Sequence, residues 1–169
     1  MDFESKYVIV GFPKCGQMSL EKYFKDQGYD IQRNDCIWNS NSLQEIKDQN
    51  PGRIPIIITR DPIDMIWDSY WYWHYKSLMS FPEYLTYSTE RESNLGHENP
   101  IDHADYEKHI LKFAELNPIL FKFNEMIRIP GYPHVNQTDN KPQITPEYRK
   151  MIEKALESGK STREPLFTN

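Results

Sequence analysis

Residues 7–20 read YVIVGFPKCGQMSL. YVIV is short, uncharged and β-branched, as a buried strand should be. From Ser19 onward Leu20, Tyr23 and Phe24 recur at helical spacing, and Gly28 closes the helix. Between strand and helix lies a turn bounded by Gly11 and Gly16. After a strand, such a turn points consecutive backbone N–H groups at one place, and the following helix adds its positive end. The glycines let the chain bend and approach a ligand closely. Lys14 puts a full positive charge inside the loop, and Ser19 offers a hydroxyl. A plain βα turn with a solvated lysine would explain Lys14 alone. It does not explain Pro13, Lys14, Gly16 and Ser19 together after a strand.

Outward from this stretch, strands and helices alternate. Tyr29–Gln32 reads as a second short strand. Ser42 and Glu45 have capping-box spacing, so a helix runs on to Asp48. Pro51-Gly52 makes a turn. Ile54–Thr59, IPIIIT, is the clearest strand, suited to the middle of a parallel sheet. Ile63–Lys76 reads as one aromatic helix, and Ser80-Phe-Pro-Glu83 as a second capping box. Residues 88–102 are polar and aperiodic, the pattern of a mobile loop. His103–Asn117 is helical, with Tyr106, Ile110, Phe113 and Ala114 on one face, and Pro118 stops it. Ile119–Phe123 is a strand, 129–144 a loop, and Thr145-Pro146 starts a last helix that Gly159 ends. The alternation predicts a three-layer α/β fold, P-loop NTPase-like. Its central, mostly parallel sheet has 4–5 strands, with helices on both faces. No linker splits the chain, so 1–169 reads as a single domain whose tail, about 160–169, is disordered.

The chain is long enough for a real core, and aromatics at 14% make Tyr, Phe and Trp its main material. A net charge of −5 argues against nonspecific binding to nucleic acid or an anionic membrane, though not against a local anion site. No stretch approaches the roughly 20 apolar residues of a membrane span. The N-terminus is acidic where a signal peptide is basic, so the expected location is cytoplasmic. Cys15 and Cys36 suffice for neither a disulfide framework nor a zinc site.

A second stretch, TRDPIDMIWDSYWYW at 59–73, places Arg60 at the end of the IPIIIT strand and lets Pro62 open a helix. An arginine there can grip a phosphate with two prongs. Asp61 and Asp64 favour the helix start. An Arg60–Asp64 surface pair is the plainer explanation of the arginine alone. Because Gly11 and Arg60 both lie just past strand ends, where open α/β sheets bind ligands, they suit a nucleotide with two separated anionic groups. A nucleotide kinase would have GxxxxGK[ST]. Gly11 and Gly16 keep that spacing, but position 17 is glutamine, so magnesium-dependent phosphoryl transfer is the weaker reading. A nucleotide-binding protein without turnover is the other alternative.

GFPKCGQMSL resembles the 5′-phosphosulfate loop of the PAPS-dependent sulfotransferases, whose form is close to PKxGTTxL. TRDPIDMIWDSYWYW resembles their 3′-phosphate segment. SFPEYL, ILFKFNEM and YPHVNQT follow in the family's order, so the likeness covers roughly 7–158. It implies the donor 3′-phosphoadenosine-5′-phosphosulfate, no metal, and sulfuryl transfer to a hydroxyl or amine. Carried over, Lys14 bridges the 5′-phosphate and the sulfuryl group. The N–H groups of Cys15, Gly16, Gln17 and Met18, with Pro13 shaping the loop and Ser19 assisting, cradle the 5′-phosphate. Arg60 binds the 3′-phosphate, and fixed charges do the electrostatic work. Two positions depart from the pattern. The usual Thr-Thr is Gln17-Met18, and the family's serine after the arginine is Asp68, with Ser69 beside it as the replacement.

Transfer to a hydroxyl wants a general base. The family carries it after the second strand, where this chain offers Asp30 and Asp35. Asp35 is favoured, because Asp30 suits a turn, and His74 is the runner-up. Trp67, Tyr70, Trp71 and His74 recur as a helical stripe, a core pattern before it is a pocket wall. Trp38 is equally suited to a pocket or a core. Arg33 and Arg53 offer further positive charge, and Asn136 matches the family's C-terminal asparagine. The loop 88–102, with Glu90, Glu92 and Glu98 against Arg91, is a lid candidate. Its acidity leans toward a small-molecule or neutral carbohydrate acceptor. A monomer or homodimer is expected.

Overall fold

Two uncharged, largely β-branched runs, YVIV and IPIIIT, pair side by side in a sheet. A computed structural model describes residues 1–10, 15–34, 43–74, 79–86, 111, 113–135 and 141–161, with the backbone alone at 43, 73, 74, 86 and 159–161. The strands are β1 (Lys6–Val10), β2 (Asp30–Arg33), β3 (Arg53–Thr59) and β4 (Ile119–Lys122). They form a parallel sheet in the order β2-β1-β3-β4. Helices flank it: this is the α/β architecture that the alternation predicts.

The backbone divides into two compact units, Met1–Arg60 with Tyr106–Gln137, and Asp61–Asp105 with Thr138–Asn169. The sheet belongs to the first. Strand side chains alternate between its faces. Val8, Val10 and Ile57 point one way, into a buried cluster with Phe113 and with Ile46 of α2 (Leu43–Gln49). Tyr7 points the other way, its ring edge-on to Tyr29. There Phe24 of α1 (Gln17–Asp26) meets both Tyr29 and Phe121. So α1 and α2 cover opposite faces. Each fully buried Val, Ile or Phe of these faces contributes about 1.5–3 kcal/mol relative to exposure.

The chain leaves β1 to form β2 on one side and returns to form β3 on the other. The order therefore reverses between β1 and β3, and the carboxyl ends of the strands at such a reversal are where open α/β sheets bind ligands.

In the second unit Asp61 caps α3 (Pro62–Ser69): its Oδ1 accepts from the Ile63 N–H at 2.8 Å. The uninterrupted helix expected over 63–76 is not what forms. At Tyr70 the backbone widens into a π-helical turn, Tyr70–His74. Trp67, Tyr70 and Trp71 are mutually in ring contact there, and the wider turn gives three large rings room. The second capping box closes as its spacing predicts. Ser80 N donates to Glu83 Oε2 at 2.8 Å, and Glu83 N to Ser80 Oγ at 3.3 Å, at the start of α4 (Phe81–Thr86).

Two further boundaries differ from expectation. Phe123 does not extend β4 but opens a short helix, α5 (Phe123–Met126). The last helix, α6 (Pro146–Ser161), runs past Gly159, since an interior glycine costs a helix only about 1 kcal/mol. Phe113 is fully buried as expected, but Ala114 is exposed. The chain there tightens into a 3₁₀ turn, Ala114–Leu116, ending on a left-handed Asn117. Ser42, Asn136, the loop 88–102, residues 103–110 and the tail from 162 lie outside the described residues. No helix among the described residues is long and apolar enough to cross a membrane.

Candidate functional site

The loop expected to hold the first anion leaves β1 at Val10. Pro13 and Lys14 lie outside the described residues, and the loop re-enters at Cys15, which is fully buried. Gly16 then caps α1 with a left-handed backbone, φ 82°, and no side chain caps the helix. The Gly16 carbonyl accepts the Leu20 N–H at 3.0 Å, so Gln17 and Met18 form the first turn. That turn contains no acidic residue. A positive helix end without a local carboxylate is electrostatically suited to an anion.

Ser19 is buried and has a structural partner. Its Oγ accepts the backbone N–H of Val135 at 2.9 Å. The hydroxyl therefore ties α1 to the segment that follows α5, and its own proton can still be donated elsewhere.

Arg60 follows β3 directly and is half-buried. Its guanidinium carbon stands over the ring of Phe123, 4.3 Å from the centroid. The same ring meets the glycine of the loop: a β-carbon built on Gly16 would lie 3.1 Å from both Cδ2 and Cε2 of Phe123. Phe123 thus touches both sequence-predicted anion segments and brings them to one edge of the sheet. Sequence reasoning missed this residue. The sequence reading placed it inside the strand Ile119–Phe123, whereas it is the first residue past β4.

Of the other expected participants, Asp35 lies outside the described residues, and His74 is the last residue of the π-helical turn. Asp30 opens β2, level with Lys6 and Arg53 at the amino end of the sheet. It accepts from Arg53 Nη1 at 2.7 Å, and that nitrogen also reaches the Tyr7 carbonyl. Asp30 and Arg53 are therefore a structural pair at the end of the strands opposite the loop. Arg33 pairs with Glu21 at 3.3 Å.

In the second unit Ser69 is buried, its hydroxyl toward the Tyr84 phenol but outside strict hydrogen-bond geometry. Burial pushes the Tyr84 phenol well above its usual range, with Ser69 opposing the shift. Asp68, the acid at the family's serine position, forms an ion pair with Lys141 at 3.1 Å. Beside it Trp67 Nε1 donates to the Pro142 carbonyl at 2.8 Å. Among the described residues no group of three or more His, Cys, Asp or Glu is placed to hold a metal ion.

The fold is that of a sulfotransferase. The chain superposes on a crystal structure of a sulfotransferase from Alicyclobacillus acidocaldarius with a TM-score of 0.61, over 91% of this chain and 92% of that one. Sequence identity is 16%, so the likeness is one of architecture. No family profile matches the sequence, and no curated protein is significantly similar to it.

Proposed function

We propose that this chain is a sulfotransferase whose donor is 3′-phosphoadenosine-5′-phosphosulfate. One observation carries the reading: the glycine of the loop after β1 and the arginine after β3 meet on a single ring, at the carboxyl edge of adjacent parallel strands. A ligand with anionic groups at both ends of an adenosine suits two such anchors. The donor supplies an activated sulfuryl group. Lys14 and the N–H groups from Cys15 to Met18 would hold its 5′ end, and Arg60 its 3′-phosphate.

The residues then have distinct tasks. Lys14 neutralises charge on the oxygen that leaves as its bond to sulfur breaks. The α1 N-terminus holds the phosphate that keeps this oxygen. Asp35, or His74 in its place, takes the proton of the acceptor hydroxyl as the new oxygen–sulfur bond forms. The products are a sulfated acceptor and adenosine 3′,5′-bisphosphate. Charges held in place before reaction lower a barrier by electrostatic stabilisation without a metal. A small-molecule or carbohydrate acceptor fits this chemistry.

Titration calorimetry of adenosine 3′,5′-bisphosphate against ATP tests the reading. The bisphosphate should bind the wild type more tightly. Lys14→Ala and Arg60→Ala should each weaken it by about 10- to 150-fold, the loss of one charge-assisted contact of about 1.5–3 kcal/mol. Preference for ATP with magnesium, or indifference to both substitutions, refutes it. Sulfuryl transfer to a panel of phenols and sugars then separates an enzyme from a binder.

A further inference from the structure

We infer that Phe123 is a positioning residue: its ring fixes the plane of the Arg60 guanidinium and so sets the direction from which Arg60 meets an anion. The inference rests on the proposed donor site and adds a residue to it. The guanidinium carbon lies over the ring, 4.3 Å from its centroid, close enough for the flat cation to rest one face on a hydrocarbon partner. Stacking of this kind constrains the face of an arginine while leaving its in-plane N–H groups to point outward. Those groups make the two-pronged contact with a phosphate. A lysine or an unstacked arginine has no such preset plane.

Phe123 is itself held on a second side. A β-carbon on Gly16 would lie 3.1 Å from its Cδ2 and Cε2, so a side chain at that glycine would have to displace the ring. The backbone of β4 and α5 supports the ring, with Lys122 paired to Thr59 in the sheet. Arg60 is the next residue after Thr59, so strand pairing delivers ring and guanidinium together. The loop that receives one anion and the arginine that receives the other are thereby spaced by one rigid aromatic group. The attraction of a Phe face for a cation shifts an equilibrium by about 2- to 30-fold, enough to favour one arrangement of a half-buried arginine but not to replace the anion.

The test compares two ligands that differ only in the 3′-phosphate, adenosine 3′,5′-bisphosphate and adenosine 5′-monophosphate, by calorimetry. The proteins are the wild type, Phe123→Leu, Phe123→Tyr, Arg60→Ala and the double variant Phe123→Leu with Arg60→Ala. Phe123→Leu keeps apolar volume but removes the aromatic face. It should weaken the bisphosphate about 3- to 30-fold and leave the monophosphate within about twofold. Phe123→Tyr should retain most of the affinity, and Phe123→Leu should cost nothing further once Arg60 is alanine. Equal losses for both ligands, or an undiminished loss in the Arg60→Ala background, would overturn the inference, since the ring would then act through the 5′ loop or the adenosine.

A ligand-free measurement keeps this outcome distinct from failure of the donor reading. The Arg60 side-chain protons should carry an upfield ring-current shift in the NMR spectrum of the wild type, lost in Phe123→Leu. If the wild type shows no such shift, the positioning role is wrong whatever binds. If the shift is present but neither adenosine ligand binds, the donor reading fails, and the inference that rests on it fails with it.

Discussion

Replacing Gly16 by alanine should be among the more costly small changes in the first unit, for two separable reasons. The backbone there has φ +82°, a conformation that costs an L-residue roughly 1–2 kcal/mol. The new methyl would also sit 3.1 Å from two carbons of Phe123, and overpacking of that kind costs typically about 1–3 kcal/mol. Relief requires the ring to shift by only a few tenths of an ångström, so the lower half of that range is taken, and the sum is about 2–4 kcal/mol. Gly131 supplies an internal calibration: it has φ +75° and nothing within 4 Å of its would-be β-carbon. Gly131→Ala should therefore show the backbone cost alone, about 1–2 kcal/mol. Urea unfolding of both variants measures the difference. The cost of Gly16→Ala should fall to that of Gly131→Ala when Phe123 is also alanine, because the cavity left by the ring accepts the methyl. The reasoning fails if Gly16→Ala costs no more than Gly131→Ala in the wild-type background. It fails equally if removing the ring leaves the difference intact.

Other expectations concern the groups around the site. Lys141→Met takes a cationic partner from Asp68, whose side chain is only 11% exposed. It should cost about 1–3 kcal/mol in urea unfolding, less than the figure for fully buried pairs because Lys141 is partly solvated, and adding Asp68→Asn should restore most of it. Ser19→Ala removes the acceptor of the Val135 N–H and should cost about 1–2 kcal/mol; hydrogen exchange at that amide should accelerate, and an unchanged rate would refute the tie. Burial pushes the Tyr84 and Tyr132 phenols upward, Tyr23 adding to the effect on Tyr132. Unfolded phenols ionise near pH 10, so the folded state holds these protons longer, and their contribution to stability is full below about pH 10 and lost as pH rises beyond it. Absorbance titration at 295 nm should leave both phenols silent until the protein unfolds.

β1 and β3 were legible because YVIV and IPIIIT are uncharged and rich in β-branched residues, and strands buried on both faces have no polar stripe to confuse the reading. The helix after the loop was legible in kind but not in its start. Gly16 caps it with backbone conformation alone, so no Ser, Thr or Asp marks the position. Ser19, which has the chemistry of a cap, sits instead in the third helical position and serves Val135. Composition could not reveal the π-helical turn at 70–74, since its apolar spacing reads equally well as an α-helix. Phe123 was hidden for a different reason: its importance depends on β4 pairing with β3, a long-range fact that no local pattern encodes. The same holds for Lys141, whose value lies in an aspartate far away in sequence.

The two departures from the sulfotransferase pattern become less troubling once charges are assigned to partners. Gln17 and Met18 remove side-chain hydroxyls from the first turn of α1, but that turn carries no carboxylate either, so the helix end keeps its positive field. The helix that follows Arg60 is different: Asp61 caps it and Asp64 sits in its first turn, so its own N-terminus is already neutralised. In the proposed site, attraction for an anion after β3 would therefore come from the Arg60 side chain, and the orientation of that one guanidinium would matter more than beside an uncapped helix. Asp68 adds no unbalanced negative charge, because Lys141 holds it. A substitution that looks hostile to a phosphate when read along the chain is, in the folded unit, half of an internal pair.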